Sequence, residues 1–361
     1  MHKIKKAIYI SSTLILGGCY NIGSQRLGKD QDEYSISIIE SNKRQTLQNL
    51  IRLRYADTPG LLDTTQLISG YQFQQSAFLG VASDTFPIRP NGGIAAQLQQ
   101  NPTFTFQPVT GDAYAHSFLS PLSPASLLPL AMGGLPIDVL LQLSAQSINS
   151  MSNNRPFSKN AGDMDSNNNY KIEEFFELIH NLRLLQAAGL LEIQLQKSPK
   201  IKDKSYETSH VFLNIYPTKN PNLEKITQNT KKLLNFSPEY KHMEVVYGSG
   251  TPKPGEINIL SRSMLSILGQ IAYQINIPED ELSSGGPAQA IDDKENSIVN
   301  IKYGKIKPQN QFVSVYYDRY YYWIDRQDFK SKLAFTITQM LLELSKTTQS
   351  SGAIVTIPVN K

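Results

Sequence analysis

Cys19 is the only cysteine in this chain of 361 residues, and its surroundings point to covalent chemistry. It follows a lysine-rich start over residues 1–6, an apolar stretch over residues 7–16 and the small residue Gly18. This order is typical of a bacterial lipoprotein signal. Cleavage between Gly18 and Cys19 would free the cysteine amine for an acyl chain and leave the thiol to carry diacylglycerol. Two or three acyl chains give stable membrane anchoring, whereas one chain gives only marginal binding.

A transmembrane or buried helix explains the same segment less well. A stretch of ten residues is too short to cross a bilayer core of about 30 Å. A buried helix would need neither the lysine-rich start nor the polar residues that follow Cys19. Tyr20 stands where an aspartate would favour retention in the inner membrane. We therefore expect the outer membrane, with the folded body facing the periplasm.

Residues 163–174 have the spacing of a calcium-binding loop. Oxygen-bearing groups fall at positions 1, 3, 5, 7 and 12, although Asn168 replaces the glycine that normally makes the turn. The alternative is a polar linker leading into a helix with early glutamates, and both interpretations stay open. The candidate calcium ligands are Asp163, Asp165, Asn167, Asn169 and Glu174.

Groups able to support catalysis are few. His116, beside Ser117, is the best candidate base, whereas His180 falls within a predicted helix. The acid pairs at 173–174 and 292–293 could act in sugar hydrolysis. Adjacent acids at a helix start or in a polar loop are more typical of dipole-stabilised or solvated groups. The sequence after residue 19 lacks a Gly-x-Ser-x-Gly elbow and a His-Glu-x-x-His motif, so we predict that the chain is not an enzyme.

Residues 312–325 concentrate aromatic side chains in a predicted hairpin with a two-residue turn at Asp318-Arg319. Alternation places residues 313, 315, 317, 320, 322 and 324 on one face, and residues 312, 316, 321 and 323 on the other. One face belongs to the core. The second is a further part of the core, a protein-contact surface or a glycan-contact surface. The candidate contact residues are Tyr316, Tyr321 and Trp323.

The charge of the chain gives no argument for a nucleic-acid partner. Removal of residues 1–18 takes away three lysines and no acid, so the net charge falls from +4 to +1. Nucleic-acid binding depends on many clustered basic contacts to phosphate. With Cys19 lipidated, no thiol remains for a disulfide.

The pattern of elements predicts an α+β fold of mixed helices and short, mainly antiparallel sheets. We expect residues 1–18 to be the signal peptide, 19–33 the lipidated cysteine and a polar tether, 34–189 a helix-rich module with a β segment, and 190–361 an α+β module. Helices are predicted at 41–56, 117–132 (divided by prolines), 137–151, 172–188, 222–235, 257–275 and 329–344. Strands are predicted within 61–108 and at 191–195, 211–215, 243–247, 312–325 and 353–358.

Several segments of the chain resemble those of a known protein family. The most specific is residues 49–59, Asn-Leu-Ile-Arg-Leu-Arg-Tyr-Ala-Asp-Thr-Pro, followed by Leu62-Asp63. Together they resemble uncharacterised bacterial envelope lipoproteins of the proteobacterial type, over nearly the whole chain after the signal. Leu61 departs from the aromatic residue expected there. The resemblance implies an envelope location and brings no reaction. Further matching segments are 102–111, 140–149, 247–248, 260–263, 322–325 and 355–358.

These observations favour a structural or accessory binding subunit of a multi-protein envelope assembly, such as an outer-membrane secretion-system core. A cell-wall glycan binder that uses Tyr316, Tyr321 and Trp323 is the alternative. A periplasmic hydrolase centred on His116 is a third hypothesis. The expected partners are the membrane, through the lipid on Cys19, and an envelope protein complex or cell-wall glycan, with no nucleic acid. Apart from that lipid, calcium at residues 163–174 is the only candidate cofactor.

We predict that Cys19→Ser abolishes labelling by radioactive palmitate and moves the protein out of the membrane fraction, because the thiol that carries the lipid is gone. Labelling and fractionation of cells that express the full chain measure both effects. Ser24→Ala is the matched control and keeps both properties. A Cys19→Ser chain that still takes up palmitate would contradict the proposed anchor.

Overall fold

The computed structural model describes residues 22–60, 62–82, 89–108, 111–153, 166–197, 209–237, 240–283, 297–346 and 355–358. These residues form an α+β fold, as expected from the sequence. Two of its sheets are antiparallel and three-stranded, and a third has six strands. Among the described residues, no helix is both long enough and apolar enough to cross a membrane.

Helices and strands are interspersed along the described part of the chain. The helices are α1 (Ile22–Arg54), α2 (Gly111–Tyr114) with a π-helical turn after it (Ala115–Leu119), α3 (Pro124–Met132), α4 (Ile137–Ser144), α5 (Ser166–Ala187), α6 (Pro221–Leu233), α7 (Met264–Ala272), α8 (Glu279–Ser283) and α9 (Phe329–Ser345). The strands are β1 (Leu62–Ala82), β2 (Arg89–Pro108), β3 (Ala145–Ile148), β4 (Met151–Ser152), β5 (Leu191–Lys197), β6 (Ser209–Ile215), β7 (Met243–Tyr247), β8 (Glu256–Ser261), β9 (Lys302–Gly304), β10 (Gln311–Tyr317), β11 (Tyr320–Asp325) and β12 (Val355–Pro358).

The six-stranded sheet has the order β4-β3-β8-β7-β6-β5, in which β7 and β8 pair in parallel and the other neighbours are antiparallel. Its strands alternate as the sequence predicts: Val211, Leu213 and Ile215 are buried, and the residues between them are less so. Strand β3 precedes residue 190 and pairs with β8, which follows it. The predicted boundary at 189/190 was therefore wrong for the described residues, because both stretches share one sheet and one core.

Two predicted helices were partly wrong, because segments of each enter this sheet. The helix predicted over 137–151 ends at Ser144, and residues 145–148 form β3. The helix predicted over 257–275 begins only at Met264, where the side chain of Ser263 accepts a hydrogen bond from the amide of Ser266. Before that cap, the chain forms β8. Residues 257 and 259 face the core with strand periodicity, and pairing on both sides of β8 satisfies its backbone.

Helix α1 replaces most of the predicted polar tether. The helix runs from Ile22 to Arg54, so residues 22–33 are helical and continue directly into the segment predicted as a separate helix. No proline interrupts this stretch, which is why the helix can propagate through Gly28. The far end of the helix lies in the core, where Leu47, Leu50 and Ile51 are fully buried.

Strands β1 and β2 form a long antiparallel hairpin. Their register runs from Leu62 opposite Pro108 to Ala82 opposite Arg89. Strand β12 pairs with β2 at residues 103–106 and completes a three-stranded sheet at that end. The prediction of strands in residues 61–108 is confirmed, since β1 and β2 both lie there. Residues 89–93 belong to β2, because they continue the ladder with β1.

A buried arginine secures the point where α4 turns into β3. One terminal nitrogen of Arg262, Nη1, donates to the carbonyls of Gln142 and Leu143 at 3.1 Å, and the other donates to the carbonyl of Asn153 at 3.4 Å. The side-chain amide of Asn153 donates to the carbonyls of Gln142 and Ala145 at 2.8 and 2.7 Å. These bonds satisfy carbonyls that the end of a helix leaves without intrahelical partners. Burial lowers the pKa of Arg262 to about 10, so its guanidinium is charged at pH 7.

We predict that Arg262→Met lowers the free energy of unfolding by about 3 kcal/mol, because it leaves buried carbonyls without donors. Urea denaturation of the full chain at pH 7 measures the loss. The matched control is Arg326→Met at an exposed position, with an expected change within about 0.5 kcal/mol. Equal stability of the two variants would show that the Arg262 bonds do not stabilise the helix end.

Candidate functional site

The aromatic residues predicted as a contact surface lie on the small sheet with the order β10-β11-β9. Tyr317 pairs with Tyr320, so Asp318 and Arg319 form a two-residue turn, and the hairpin prediction is confirmed. Asp318 has a φ of 52°, in the left-handed region that aspartate tolerates better than most residues. This explains how the turn forms without glycine.

One face of this sheet belongs to the core. The register between β10 and β11 confirms most of the predicted alternation, although Phe312 was assigned to the wrong face. A bulge between Gln311 and Val313 shifts the register at Phe312. The ring of Phe312 therefore packs edge-on against the buried ring of Phe335, with 6.2 Å between the ring centroids. The buried residues of the hairpin are Val313, Val315, Tyr320, Tyr322 and Ile324.

The opposite face carries the three candidate contact residues, and we call it the open aromatic face: Tyr316, Tyr321 and Trp323. Tyr316 stands opposite Tyr321, and their ring centroids are 4.9 Å apart. Tyr316 is 58% exposed, and the other two are partly exposed. The sequence predicted this set, and the structure places all three side chains on one side of the sheet.

The indole ring of Trp323 packs closely over Gly304. A Cβ atom at Gly304 would stand 3.3 Å from the ring, tighter than nine in ten real contacts, so a larger residue there would require the ring to shift by a few tenths of an ångström. Next to it, the ammonium of Lys302 lies 3.1 Å from a carboxylate oxygen of Asp325. A backbone bond from Gln327 and this bond from Lys302 lower the pKa of Asp325. The face therefore combines flat aromatic rings with a charged edge.

A buried hydroxyl–carboxylate cluster lies on the core side of the hairpin. The hydroxyl of Tyr55, at the end of α1, donates to the carboxylate of Glu281 in α8 and lies 2.6 Å from the hydroxyl of Tyr322 in β11. Glu281 is 4% exposed, and Tyr322 is fully buried. Burial, followed by the bonds to Glu281 and Tyr322, raises the pKa of Tyr55. Burial also raises the pKa of Tyr322.

A second tyrosine–carboxylate pair lies beside this cluster. The Tyr320 hydroxyl is 2.7 Å from both carboxylate oxygens of Asp280. That bond raises the pKa of Tyr320 to about 12 and lowers the pKa of Asp280. Arg319 lies about 4 Å from the carboxylates of Asp280 and Glu281. Because Arg319 is largely exposed, these ion pairs contribute little compared with the buried hydrogen bonds.

Residues 49–59 anchor the end of α1 to the same region. The Asn49 amide makes two hydrogen bonds with the backbone of Gly60, at 2.8 and 3.0 Å. The Nε atom of buried Arg54 donates to the carbonyl of Ile275 at 2.8 Å. The Tyr317 hydroxyl donates to Asp57 at 3.2 Å. These contacts show a structural role for this segment, which sequence reasoning did not assign.

The candidate catalytic residues that the structure describes lie on the π-helical turn and on α5. His116 is exposed in the π-helical turn, and its neighbour Ser117 is buried. His180 is exposed on α5, as a helix-surface residue should be. In the acid pair at 173–174, Glu173 is exposed and Glu174 is partly exposed. The acid pair at 292–293 lies outside the described residues.

The described part of the predicted calcium loop is helical. Helix α5 begins at Ser166, the fourth of the twelve loop positions, so Asn167 and Asn169 lie within a helix. Calcium binding at residues 163–174 stays a prediction. Asp163 and Asp165 lie outside the described residues. Among the described residues, no group of three or more His, Cys, Asp or Glu side chains could hold a metal ion.

Two recesses are lined by residues outside the open aromatic face. One, of about 450 Å³, lies between Leu53 and α7. The other, of about 620 Å³, is lined by Lys231, Lys232 and Lys253 together with the rings of Phe236 and Tyr240. The lining residues of both come from segments to which the sequence analysis gave no function. Gly18 and Cys19, the predicted cleavage and lipid-anchor residues, lie outside the described residues.

No protein-family model, curated protein or solved structure matches this chain.

We predict that Tyr55→Phe destabilises the fold by about 1–2 kcal/mol at pH 7, because buried Glu281 loses a donor. The effect depends on pH in a defined direction. An unfolded tyrosine ionises near pH 10, whereas the folded protein keeps its proton on Tyr55 to higher pH. The stability that this residue contributes is therefore complete below pH 10 and lost as the pH rises further.

Urea denaturation of the native chain and of Tyr55→Phe at pH 7, 9 and 11 tests this expectation. The difference in stability between them should shrink at pH 11. The matched control is Tyr247→Phe, at a tyrosine that is 53% exposed. A difference that grows with pH would contradict the proposed hydrogen-bonded state of Tyr55.

Proposed function

We propose that this chain is a lipid-anchored, periplasm-facing subunit that works by binding within a multi-protein envelope assembly, such as an outer-membrane secretion-system core. The observation that carries the proposal is the open aromatic face, where Tyr316, Tyr321 and Trp323 stand together on one side of a small sheet. The proposal assigns no reaction and no bound metal to the chain.

The composition of this face supports protein contact. Tyrosine and tryptophan dominate the binding energy of protein interfaces, because a large rigid ring buries much area at little entropic cost. Tyr316 and Tyr321 already contact each other, so the rings lose little further freedom when a partner covers them. The Lys302–Asp325 pair offers a polar rim beside the rings.

The sheet that carries the open aromatic face is held on its core side by hydrogen bonds. Tyr322 contributes its hydroxyl to the buried cluster with Tyr55 and Glu281. Since side chains alternate along β11, the residues on either side of Tyr322, which are Tyr321 and Trp323, belong to the open aromatic face. A rigid support of this kind preorganises a contact surface and lowers the cost of binding.

The location part of the proposal comes from the sequence. The signal-like segment that ends at Cys19 and the resemblance to envelope lipoproteins both support a lipid-anchored envelope protein. A lipid anchor confines the protein to the membrane surface, which raises its effective concentration toward other membrane-bound subunits.

One observation favours a cell-wall glycan as the second candidate partner. The indole of Trp323 packs against Gly304, beside the charged Lys302–Asp325 pair. A flat exposed ring stacks on the apolar face of a sugar, and a neighbouring charged pair can hydrogen-bond its hydroxyls.

We predict that Tyr316→Ala weakens partner binding by about 2 kcal/mol, or roughly thirtyfold, because it removes the most exposed ring of the face. Quantitative copurification after mild detergent extraction, with the anchor intact, measures the loss. Tyr247→Ala is the matched control, since Tyr247 is similarly exposed on a different sheet. Trp323→Ala tests the centre of the face in the same assay.

Sedimentation with purified cell wall separates the two candidate partners. Loss of sedimentation by Tyr316→Ala, with no envelope protein copurifying, would favour the glycan. If Tyr316→Ala and Trp323→Ala both bind like the native chain, the open aromatic face is not the contact surface.

A further inference from the structure

The hairpin of β1 and β2 extends well beyond its third strand. Strand β1 has 21 residues and β2 has 20, a length of about 70 Å at 3.4 Å per residue. Strand β12 covers only residues 103–106 of β2. Over residues 69–82 and 89–102, the described part of the chain supplies two strands and no third. A two-stranded ribbon of this kind is at best marginally stable in water by itself.

The outer edge of β1 lacks the features that normally keep an exposed edge from pairing. Natural edge strands are blunted by prolines, lysines or bulges. The sequence of β1 contains no proline and one charged residue, Asp63, and its one register shift lies at its start, between Thr64 and Gln66. In contrast, β2 has prolines at 90, 102 and 108, which cannot donate backbone hydrogen bonds. The two edges of the ribbon therefore differ, and no strand among the described residues pairs with the outer edge of β1.

We propose that the outer edge of β1 pairs with the β1 edge of a second copy of this chain. The two strands run antiparallel around a two-fold axis and join two ribbons into one four-stranded sheet. This self-association surface is separate from the open aromatic face and does not depend on it.

A second copy fits this edge for three reasons. In an antiparallel ladder, alternate residues of an edge strand direct both backbone groups outward, so two identical edges satisfy each other's donors and acceptors. Between residues 64 and 82, β1 carries no charge, so two copies do not repel each other when they pair. The sheet already grows by edge addition, because β12 joins it from more than 240 residues along the chain through backbone pairing.

A cysteine scan of β1 tests the proposal on the full chain, purified in mild detergent. The native chain has one cysteine, Cys19, and serves as the background control. Single cysteines are placed in turn at residues 68–80 and exposed to mild oxidant. Two copies can form a disulfide only where their Cα atoms lie within about 7 Å. We expect disulfide dimers at a short run of neighbouring β1 positions and a protein mass twice that of one chain.

The matched controls are cysteines at the register partners in β2, residues 91–103, which lie at the same level of the ribbon. We expect them to crosslink no more than the native chain. A Lys residue at the centre of the crosslinking run, for example Gln74→Lys if Gln74 lies there, should return the protein to the mass of one chain, because two like charges then face each other.

Three outcomes would overturn the proposal: a native mass of one chain at micromolar concentration, equal crosslinking of β1 and β2 positions, or no crosslinking at any β1 position. Equal crosslinking of β1 and β2 positions would show random aggregation. A dimer without crosslinking at any β1 position would show another mode of association. Tyr316→Ala should leave the crosslinking pattern unchanged. Failure of self-association and failure of the proposed partner binding are therefore distinguishable.

Discussion

One buried contact, the hydroxyl of Tyr55 against the carboxylate of Glu281, joins parts of the fold that are distant along the chain. A carboxylate at this depth is costly unless hydrogen bonds replace its water. Tyr55 supplies such a bond, and its own oxygen meets the hydroxyl of Tyr322. The partners of Tyr55 are 226 and 267 residues away along the chain, so a single cluster fixes α1, α8 and the hairpin of β10 and β11 relative to one another. The position of the open aromatic face follows from this constraint.

Arg262 stabilises the point where α4 ends and β3 begins, because it donates hydrogen bonds to backbone carbonyls there. The last carbonyls of α4 have no intrahelical donors, and β3 begins at the next residue. Arg262 and Asn153 supply those donors from two other parts of the chain. The same backbone segment lets β3 add to β8, which is why residues before and after 190 share one sheet.

Local patterns in the sequence predicted the elements whose periodicity is unambiguous. The alternation in residues 211–215 and the hairpin at 312–325 were predicted and are confirmed. Residues 257–261 were wrongly assigned to a helix, because apolar residues spaced by two and three satisfy both periods over a short run. Pairing with β3 and β7 makes these residues a strand and not a helix. A local sequence pattern does not show which strands will pair.

The open aromatic face could be predicted because it needs only alternation and a turn within a dozen residues. The cluster behind it could not, because it depends on contacts between distant residues. Asp280 and Glu281 stand in a stretch rich in acids that predicts a solvated loop, yet Glu281 is buried. Tyr55 lies at the end of the helix predicted over 41–56, and no local pattern there assigns it a partner. Its partners Glu281 and Tyr322 become apparent only in the folded chain.

The replacement of the predicted tether by α1 changes what the proposed anchor would do. A flexible tether would let the folded body tumble at the bilayer surface, whereas α1 is a helix of 33 residues, about 50 Å long, that begins three residues after Cys19. Its second half is fixed in the core by Leu47 and Leu50, while Ile36 and Ile39 near its middle are exposed. With lipid on Cys19, such a rod would set both the distance and the orientation of the body. A contact surface held in a fixed orientation meets membrane-bound partners at lower entropic cost than one that must be oriented anew at each encounter.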